Sequence, residues 1–384
     1  MDALLEIVLN LLVAGSLAGV SYLLAATYAV RGFRPDRRSA VPSHPRPPIT
    51  ILKPVCGDEP GLYENLRSFC EQDYPAVQVV FGARDPGDSA VPVVQRLIRD
   101  LPDADLSLVV AEWPHAMNQK VGNLINMMQV ARHGVLVVAD SDIRVRRDYL
   151  NHITHPLADP SVGVVTCLYA GRPRRGLWSA FGAMSINFGF LPSVLVGRLM
   201  GVVDGCFGAT ILLRRAVLDR VGGFAAFSDQ LADDFALGEA VRALGWRVHL
   251  SRHVVDNMAW EPGFRTLFQH ELRWARTIRG ITPFGHALSV ITLPVALSFI
   301  AMTFSANAAG AILFAATCAC RLLHIRTTER VLGLDPVSTW LIPLRDLLSM
   351  LVLVTSFCGR KVVWRDQQFR AGADGRVLME RSSR

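Results

Sequence analysis

VLVVADSD, residues 135–142, is the stretch from which the fold is read. Its first five residues are apolar and mostly β-branched, the composition of a short strand buried on both faces. The run then stops at two carboxylates, Asp140 and Asp142, separated only by Ser141. Comparable runs lie on either side of it: ITILKPV (49–55), VQVVFGA (77–83), LSLVVAE (106–112) and VGVVTCLY (162–169). Helix-like segments fall between them, near 61–71, 89–100 and 118–132. Buried strands alternating with helices predict an α/β domain, Rossmann-like, with a mostly parallel sheet covered on both faces. Ligands of such sheets bind beyond the carboxyl ends of the strands, where Asp140-Ser141-Asp142 is expected.

Outward from this domain the chain becomes apolar. The protein has 384 residues, of which 51% are hydrophobic and only 19% charged, and the excess is concentrated at residues 3–30 and 285–358. Residues 3–30 carry one charge, Glu6, and are long enough to cross about 30 Å of hydrocarbon as a helix. No basic segment precedes them, which argues against a cleaved signal peptide. Arg31, Arg34, Arg37 and Arg38 follow directly, so residues from 31 onward are expected on the cytoplasmic side of the inner membrane. Residues 31–48 then read as a Pro- and Arg-rich linker, too poor in apolar side chains to pack.

Residues 176–201 are apolar but interrupted by glycines and Pro192; they read as a membrane-interface or acceptor-lining segment, or as a buried core helix. Residues 285–323 are about twice the length of one span, with Asn307 and Gly310 near the middle, which predicts a helical hairpin. The run 339–358 contains Pro343, Arg345 and Asp346 and reads as re-entrant or interfacial, since a full span would place the basic tail on the wrong side. The expected domains are therefore a membrane helix (1–30), the linker (31–48), a catalytic domain (49–280), membrane helices (281–358) and a basic cytoplasmic tail (359–384), a multi-pass arrangement.

The net charge of +7 fits an anionic membrane surface or an anionic substrate. The arginines cluster beside the apolar ends (Arg276, Arg279, Arg360, Lys361, Arg365), which favours the lipid bilayer and gives no nucleic-acid groove. Seven scattered cysteines include no CxxC pair, so neither a disulfide scaffold nor a zinc knuckle is indicated, and unpaired thiols in a reducing compartment are expected.

Four features carry chemistry. Asp85 follows VQVVFGA and opens the polar turn RDPGDS; it can accept a hydrogen bond from a base or ribose, or simply close the turn. Asp140 and Asp142 can share a hard divalent cation that neutralises a diphosphate. Asp233-Asp234 stands where helical spacing begins (Phe235, Leu237, Ala240, Val241, Leu244). These carboxylates are either partners of a helix dipole or include a general base. Last, His270, Arg273 and Trp274 lie in QHELRWAR (269–276), just before the second apolar region. An arginine beside an indole can bind phosphate and a sugar or base; an amphipathic interfacial helix reads equally well.

Taken together, Asp85, Asp140-Ser141-Asp142, Asp234 and His270-x-x-Arg273-Trp274 resemble the D, D-x-D, D, (Q/R)-x-x-R-W signature of family 2-like inverting glycosyltransferases. Lys53-Pro54, the stretch from Asn65-Leu66 to Gln72-Asp73-Tyr74-Pro75, Lys120-Val121-Gly122-Asn123-Leu124 and Gly245-Trp246-Arg247 are similar to the family 21-like ceramide glucosyltransferases. They are also similar to bacterial relatives of that group, the hopanoid-biosynthesis glycosyltransferases, as is the tail from Gly359 through Trp364-Arg365. His270 departs from the Gln or Arg of the pattern, and its charge would depend on pH.

The resemblance implies a GT-A fold, a UDP-sugar donor, Mg2+ or Mn2+, and inversion at the anomeric carbon. It assigns Asp85 to the uridine, Asp140 and Asp142 to the metal-diphosphate, and Asp234 to the base. Lys120 would face the diphosphate, His270, Arg273 and Trp274 would bind the donor, and Gly205 and Cys206 in VVDGCFGAT would line the acceptor site. The expected acceptor is a membrane lipid. N-acetylglucosamine transfer from UDP-GlcNAc to bacteriohopanetetrol, a hopanoid, leads, with glucosylation of ceramide from UDP-glucose as the alternative. A processive polysaccharide synthase would need a transmembrane channel, for which three or four spans are few. A non-enzymatic membrane scaffold is the remaining class.

Overall fold

The computed structural model describes residues 3–36, 46–112, 116–202, 205–359, 361–364, 367–371 and 377–379. Arg37, Arg38, Arg360 and Arg365, most of the Pro-rich linker, and Val203 and Asp204 of the expected acceptor stretch lie outside the described residues.

In chain order, helix α1 (Ala3–Gly32) precedes strand β1 (Ile49–Pro54), α2 (Leu62–Cys70), β2 (Val77–Ala83), α3 (Ala90–Asp100) and β3 (Asp105–Val110). Then come α4 (Gln119–Met127), β4 (Val135–Ala139), β5 (Ile143–Arg144), α5 (Tyr149–Thr154) and β6 (Val162–Pro173). Helices α6 (Gly176–Ser185) and α7 (Leu191–Leu199) flank a π-helical turn, Ile186–Phe190, and are followed by β7 (Thr210–Arg214) and α8 (Arg215–Arg220). The remainder is α9 (Asp233–Ala243), β8 (Arg247–Ala259), α10 (Phe264–Ile281), α11 (Pro283–Leu288), α12 (Pro294–Ser305), α13 (Ala308–Leu332) and α14 (Leu341–Phe357), with short strands β9 (Lys361–Trp364), β10 (Gln367–Ala371) and β11 (Val377–Met379).

Two compact units result. One comprises Pro35–Arg174 and Asp204–Trp260; the other comprises Met1–Arg34, Arg175–Val203 and Glu261–Arg384.

The first unit is an eight-stranded sheet in the order β3-β2-β1-β4-β7-β6-β8-β5. The strands β3, β2, β1 and β4 are parallel neighbours, as are β6 and β8. Four of the seven neighbouring pairs are parallel, in keeping with the mostly parallel sheet expected, and three (β4–β7, β6–β7 and β5–β8) are antiparallel. Apolar β-branched runs buried on both faces carry no direction, which is why the reversal at β7 was not readable. From β1 the chain moves to β2 and β3 on one side and then to β4 on the other. The carboxyl ends of β1 and β4 therefore meet at a topological switch point, the usual ligand crevice of open α/β sheets. Core side chains fill both faces. Phe69, Phe81, Val94 and Tyr149 lie on one side; Leu124, Met127, Phe224 and Val241 lie on the other.

The second unit is helical, with a three-stranded antiparallel sheet, β11-β10-β9, near its end. Helix α1 buries a narrow stripe of mainly small residues (Ser16, Gly19, Leu23, Ala26, Thr27, Val30) and contacts α12 and α13. Its outer side exposes Leu4, Ile7, Leu11, Leu17, Leu24 and Tyr28. Small residues toward neighbouring helices and large apolar ones facing out is the pattern of a bilayer helix. Among the described residues, three helical stretches are long and apolar enough to cross a membrane: Ala3–Gly32, Gly176–Leu199 and Ala308–Leu332. A bent pair, Pro283–Thr292 and Pro294–Ser305, kinked by 66°, passes the same test jointly.

Within the run read as a hairpin, α12 and α13 are consecutive helices in contact with one another. Asn307 caps α13 through Gly310 N at 2.9 Å. Helix α14, at 17 residues, is shorter than the roughly 20 a span requires. Its two charges are buried and paired: Arg321 binds Asp346 bidentately at 2.7 and 3.0 Å, and Arg345 binds Glu271 of α10 at 2.7 Å.

Candidate active site

Strand β4 ends at Ala139 and delivers Asp140, Ser141 and Asp142 to the loop before β5. Asp140 Oδ1 pairs with Lys120 Nζ at 2.6 Å, and Asp142 Oδ2 accepts from Asn257 Nδ2 of β8 at 2.7 Å. Lys120 is placed by the start of α4. Asn118 caps that helix, its Oδ1 accepting from the Lys120 and Val121 amides at 3.0 and 3.2 Å. The Asn118 amide group in turn donates to Gln230 O and Asp233 Oδ1, fastening α4 to the segment that opens α9. Lys120 thus stands between Asp140 and Asp233, 3.9 Å from the latter. Burial alone would depress the Lys120 pKa, but Asp140, Asp233 and Asp234 outweigh it and hold the ammonium charged well above its ordinary range.

Asp233 and Asp234 form the first turn of α9. Asp234 Oδ2 accepts from Gly208 N at 2.7 Å and Oδ1 from Phe235 N at 2.8 Å. A Cβ at position 208 would sit 2.9 Å from Asp234 Oδ2, so only glycine lets the backbone come this close. Burial pushes the Asp234 pKa up to about 6, Asp233 adding to the rise while Lys120 and the two amides oppose it. That is the range of a general base.

Lys53 completes the cluster. It is fully buried on β1, its Nζ donates to the Asp140 carbonyl, and it lies 3.8 Å from the centre of the Phe69 ring. Burial lowers its pKa to about 7 against the pull of Asp140 and Asp142. Four carboxylates (Asp140, Asp142, Asp233, Asp234) thus face two ammonium groups. Asp140 and Asp142 are hard oxygen donors, the former 37% exposed, and this donor set suits a hard divalent cation.

The other expected site residues have plainer surroundings. Asp85 is exposed beyond β2, and its Oδ1 accepts from Gly87 N at 2.8 Å, closing its own turn. Asp88, three residues on, accepts from Gly57 N and Ala90 N and ties the β1 and β2 loops together. Cys206 is 3% exposed and packs in the core against α9, while Gly205 beside it is half-buried.

His270, Arg273 and Trp274 belong to the helical unit, on α10. The His270 and Trp274 rings meet at 4.4 Å, one helical turn apart, and His270 Nδ1 lies 2.7 Å from the buried carboxylate of Glu261. Glu261 is itself fixed through its backbone amide, which donates to Ser179 Oγ at 3.0 Å.

The profile described as Glycosyl transferase family 21 matches residues 11–377. The chain belongs to that family. Ceramide glucosyltransferase 1 of Caenorhabditis elegans is 25% identical over 351 residues, 88% of this glycosyltransferase and 74% of the relative. Ceramide glucosyltransferase 3 of the same organism is 27% identical over 68% of this chain and 57% of its own length. Among solved structures, a mannosyltransferase from Pyrobaculum calidifontis, in complex with GDP-Man and Mn2+, superposes with a TM-score of 0.55 at 22% identity, covering 94% of this chain and all of that one. That likeness shows the GT-A fold.

Three groups of the glycosyltransferase were not singled out from sequence for these roles. From sequence Lys53 enters only through the Lys53-Pro54 match, within the strand run 49–55. Sequence leaves Asp233, with Asp234, as a dipole partner or a base; in the structure it is the second carboxylate beside Lys120. Glu261 precedes Pro262-Gly263 and reads as a turn residue, yet it supplies the partner of His270.

Proposed function

We propose that this glycosyltransferase moves a hexose from a UDP-sugar to a hydroxyl of a membrane lipid, with inversion, in the domain assigned to residues 49–280. The observation that carries the reading is Asp234. It is a half-buried carboxylate with its pKa raised to about 6, held by Gly208 N beside the Lys120–Asp140 pair near the carboxyl end of β4. Its oxygens each accept one backbone hydrogen bond, leaving lone-pair capacity to take the acceptor proton.

Lys120 holds Asp140 in place and offers positive charge to the departing diphosphate. Asp140 and Asp142 would hold Mg2+ or Mn2+, which when bound offsets the charge of that diphosphate. The resemblance alone assigns Asp85 to the uridine, His270, Arg273 and Trp274 to the donor, and Gly205 and Cys206 to the acceptor side. A lipid acceptor is supported by the apolar helices and by relatives named ceramide glucosyltransferases. The arginines after α1 support a multi-pass protein of the cytoplasmic membrane with this domain on the cytoplasmic face.

For the finer substrates, the HxxRW variant and the tail support transfer of N-acetylglucosamine from UDP-GlcNAc to bacteriohopanetetrol. The names of the two nematode relatives favour a second reading, glucose transfer to ceramide. Membranes containing the enzyme, given labelled UDP-GlcNAc or UDP-glucose with each lipid, separate the two. Product from UDP-GlcNAc on the hopanoid is expected. Product only from UDP-glucose on ceramide would overturn the finer reading and leave the lipid-directed reaction standing.

A further inference from the structure

Away from the Asp140–Asp142 loop, Asp148, His152 and His253 bring one ligand atom each to within 4.8 Å of one another. His253 lies on β8, four residues before Asn257, the partner of Asp142, or about 13 Å along the strand. Asp148 precedes α5, and His152 is one helical turn further on, so both project from the same side of that helix.

His253 is the telling residue. It is 0% exposed, yet among the described residues neither ring nitrogen has a hydrogen-bond partner. A buried imidazole without partners loses the hydration of two polar atoms and recovers nothing. Its ring lies 4.8 Å from that of His152, which is itself in a carboxylate cage. His152 Nε2 is 3.3 Å from Asp148 Oδ2, and Nδ1 is 3.6 Å from Asp36 Oδ2. Arg146 also donates to Asp148, at 3.0 and 3.1 Å, and to the Asp36 carbonyl at 3.1 Å. An incoming cation would therefore share Asp148 with a guanidinium.

We propose that Asp148, His152 and His253 bind a structural transition-metal ion of the zinc type. Two imidazoles and a carboxylate are a nitrogen-rich set that selects zinc over magnesium. Bound through Nε2, His152 would leave Nδ1 toward Asp36, whose carboxylate would then orient the ring as outer-shell carboxylates do for zinc-bound histidines. The ion would satisfy His253 and pin α5 and the chain at Asp36 to β8. It takes no part in sugar transfer.

The test uses full-length protein in detergent, stripped with a chelator and titrated with Co2+ as a spectroscopic probe. Expected is tight binding of a single equivalent with visible d–d absorption, displaced by zinc and not by excess magnesium. It should survive the Asp140→Asn/Asp142→Asn double variant and disappear in His253→Gln and His152→Gln. Zinc should also raise the unfolding temperature of the stripped wild-type protein, a readout that needs no variant. Absence of the cobalt bands in wild-type protein would overturn the proposal. So would bands lost with Asp140 and Asp142 but retained in His152→Gln, a change at a less buried position that keeps the test open if His253→Gln does not fold.

Discussion

As the proposed base, Asp234 faces two requirements that usually conflict. A base must be ionised at working pH, yet must bind a proton well enough to remove one from a hydroxyl. Its pKa near 6 satisfies both. If Asp234 is the base, its ionised form is the active one, and kcat/KM is expected to fall about tenfold per pH unit below pH 6 and to level off above it. Replacing Asp233 with Asn removes one cause of the rise and should move the acid limb to lower pH. A limb at the ordinary aspartate value of about 4 in the wild type would remove Asp234 from the role. Asp234→Asn is expected to lower kcat by about 10²–10⁴-fold with the donor KM little changed. At this scale the sequence shows which carboxylates sit at element boundaries, as Asp140, Asp142 and Asp234 do in the structure. It was silent on Lys53 and Glu261, because burial of a charged side chain is a property of the packed structure and leaves no local pattern.

The elements that position the site were largely legible. Strands β1 to β4 and helices α2 to α4 follow from β-branched runs and the polar segments between them, and Asn307 marked the turn of the hairpin. The antiparallel β7 and the long β8 were missed. TILLR is five residues with no turn signal of its own, and RVHLSRHVVDNMA mixes polar residues into a strand. Two packing contacts give tests. Gly82 of β2 faces α4, where an added Cβ would collide with Asn123 Oδ1 and Met127 Sδ. Gly82→Ala should therefore destabilise by about 1–3 kcal/mol, read as a lower Tm in detergent. The Glu271–Arg345 pair joins α10 to α14 with both side chains under 10% exposed. Arg345→Met strands a buried carboxylate and should cost about 3–5 kcal/mol, whereas adding Glu271→Gln should restore most of the loss. Equal loss in the single and double variants would show that the pair does not join the helices energetically.

At the scale of the whole molecule, the apolar ends were readable by length alone and the acceptor was not, because the same leucines serve bilayer, core and ligand. The protein is expected to stay in the membrane pellet after alkaline carbonate washing and to leave it only with detergent. In the proposed reaction sugar passes to a lipid with Asp234 as base. The most direct measurement follows label from a UDP-sugar in membranes carrying wild-type or Asp234→Asn enzyme, partitioned between organic extract and water-soluble polymer. Label is expected in the organic extract with wild-type enzyme, with a loss of at least about 100-fold in the variant. Label in polymer, or in lipid at equal rates for both enzymes, would contradict it.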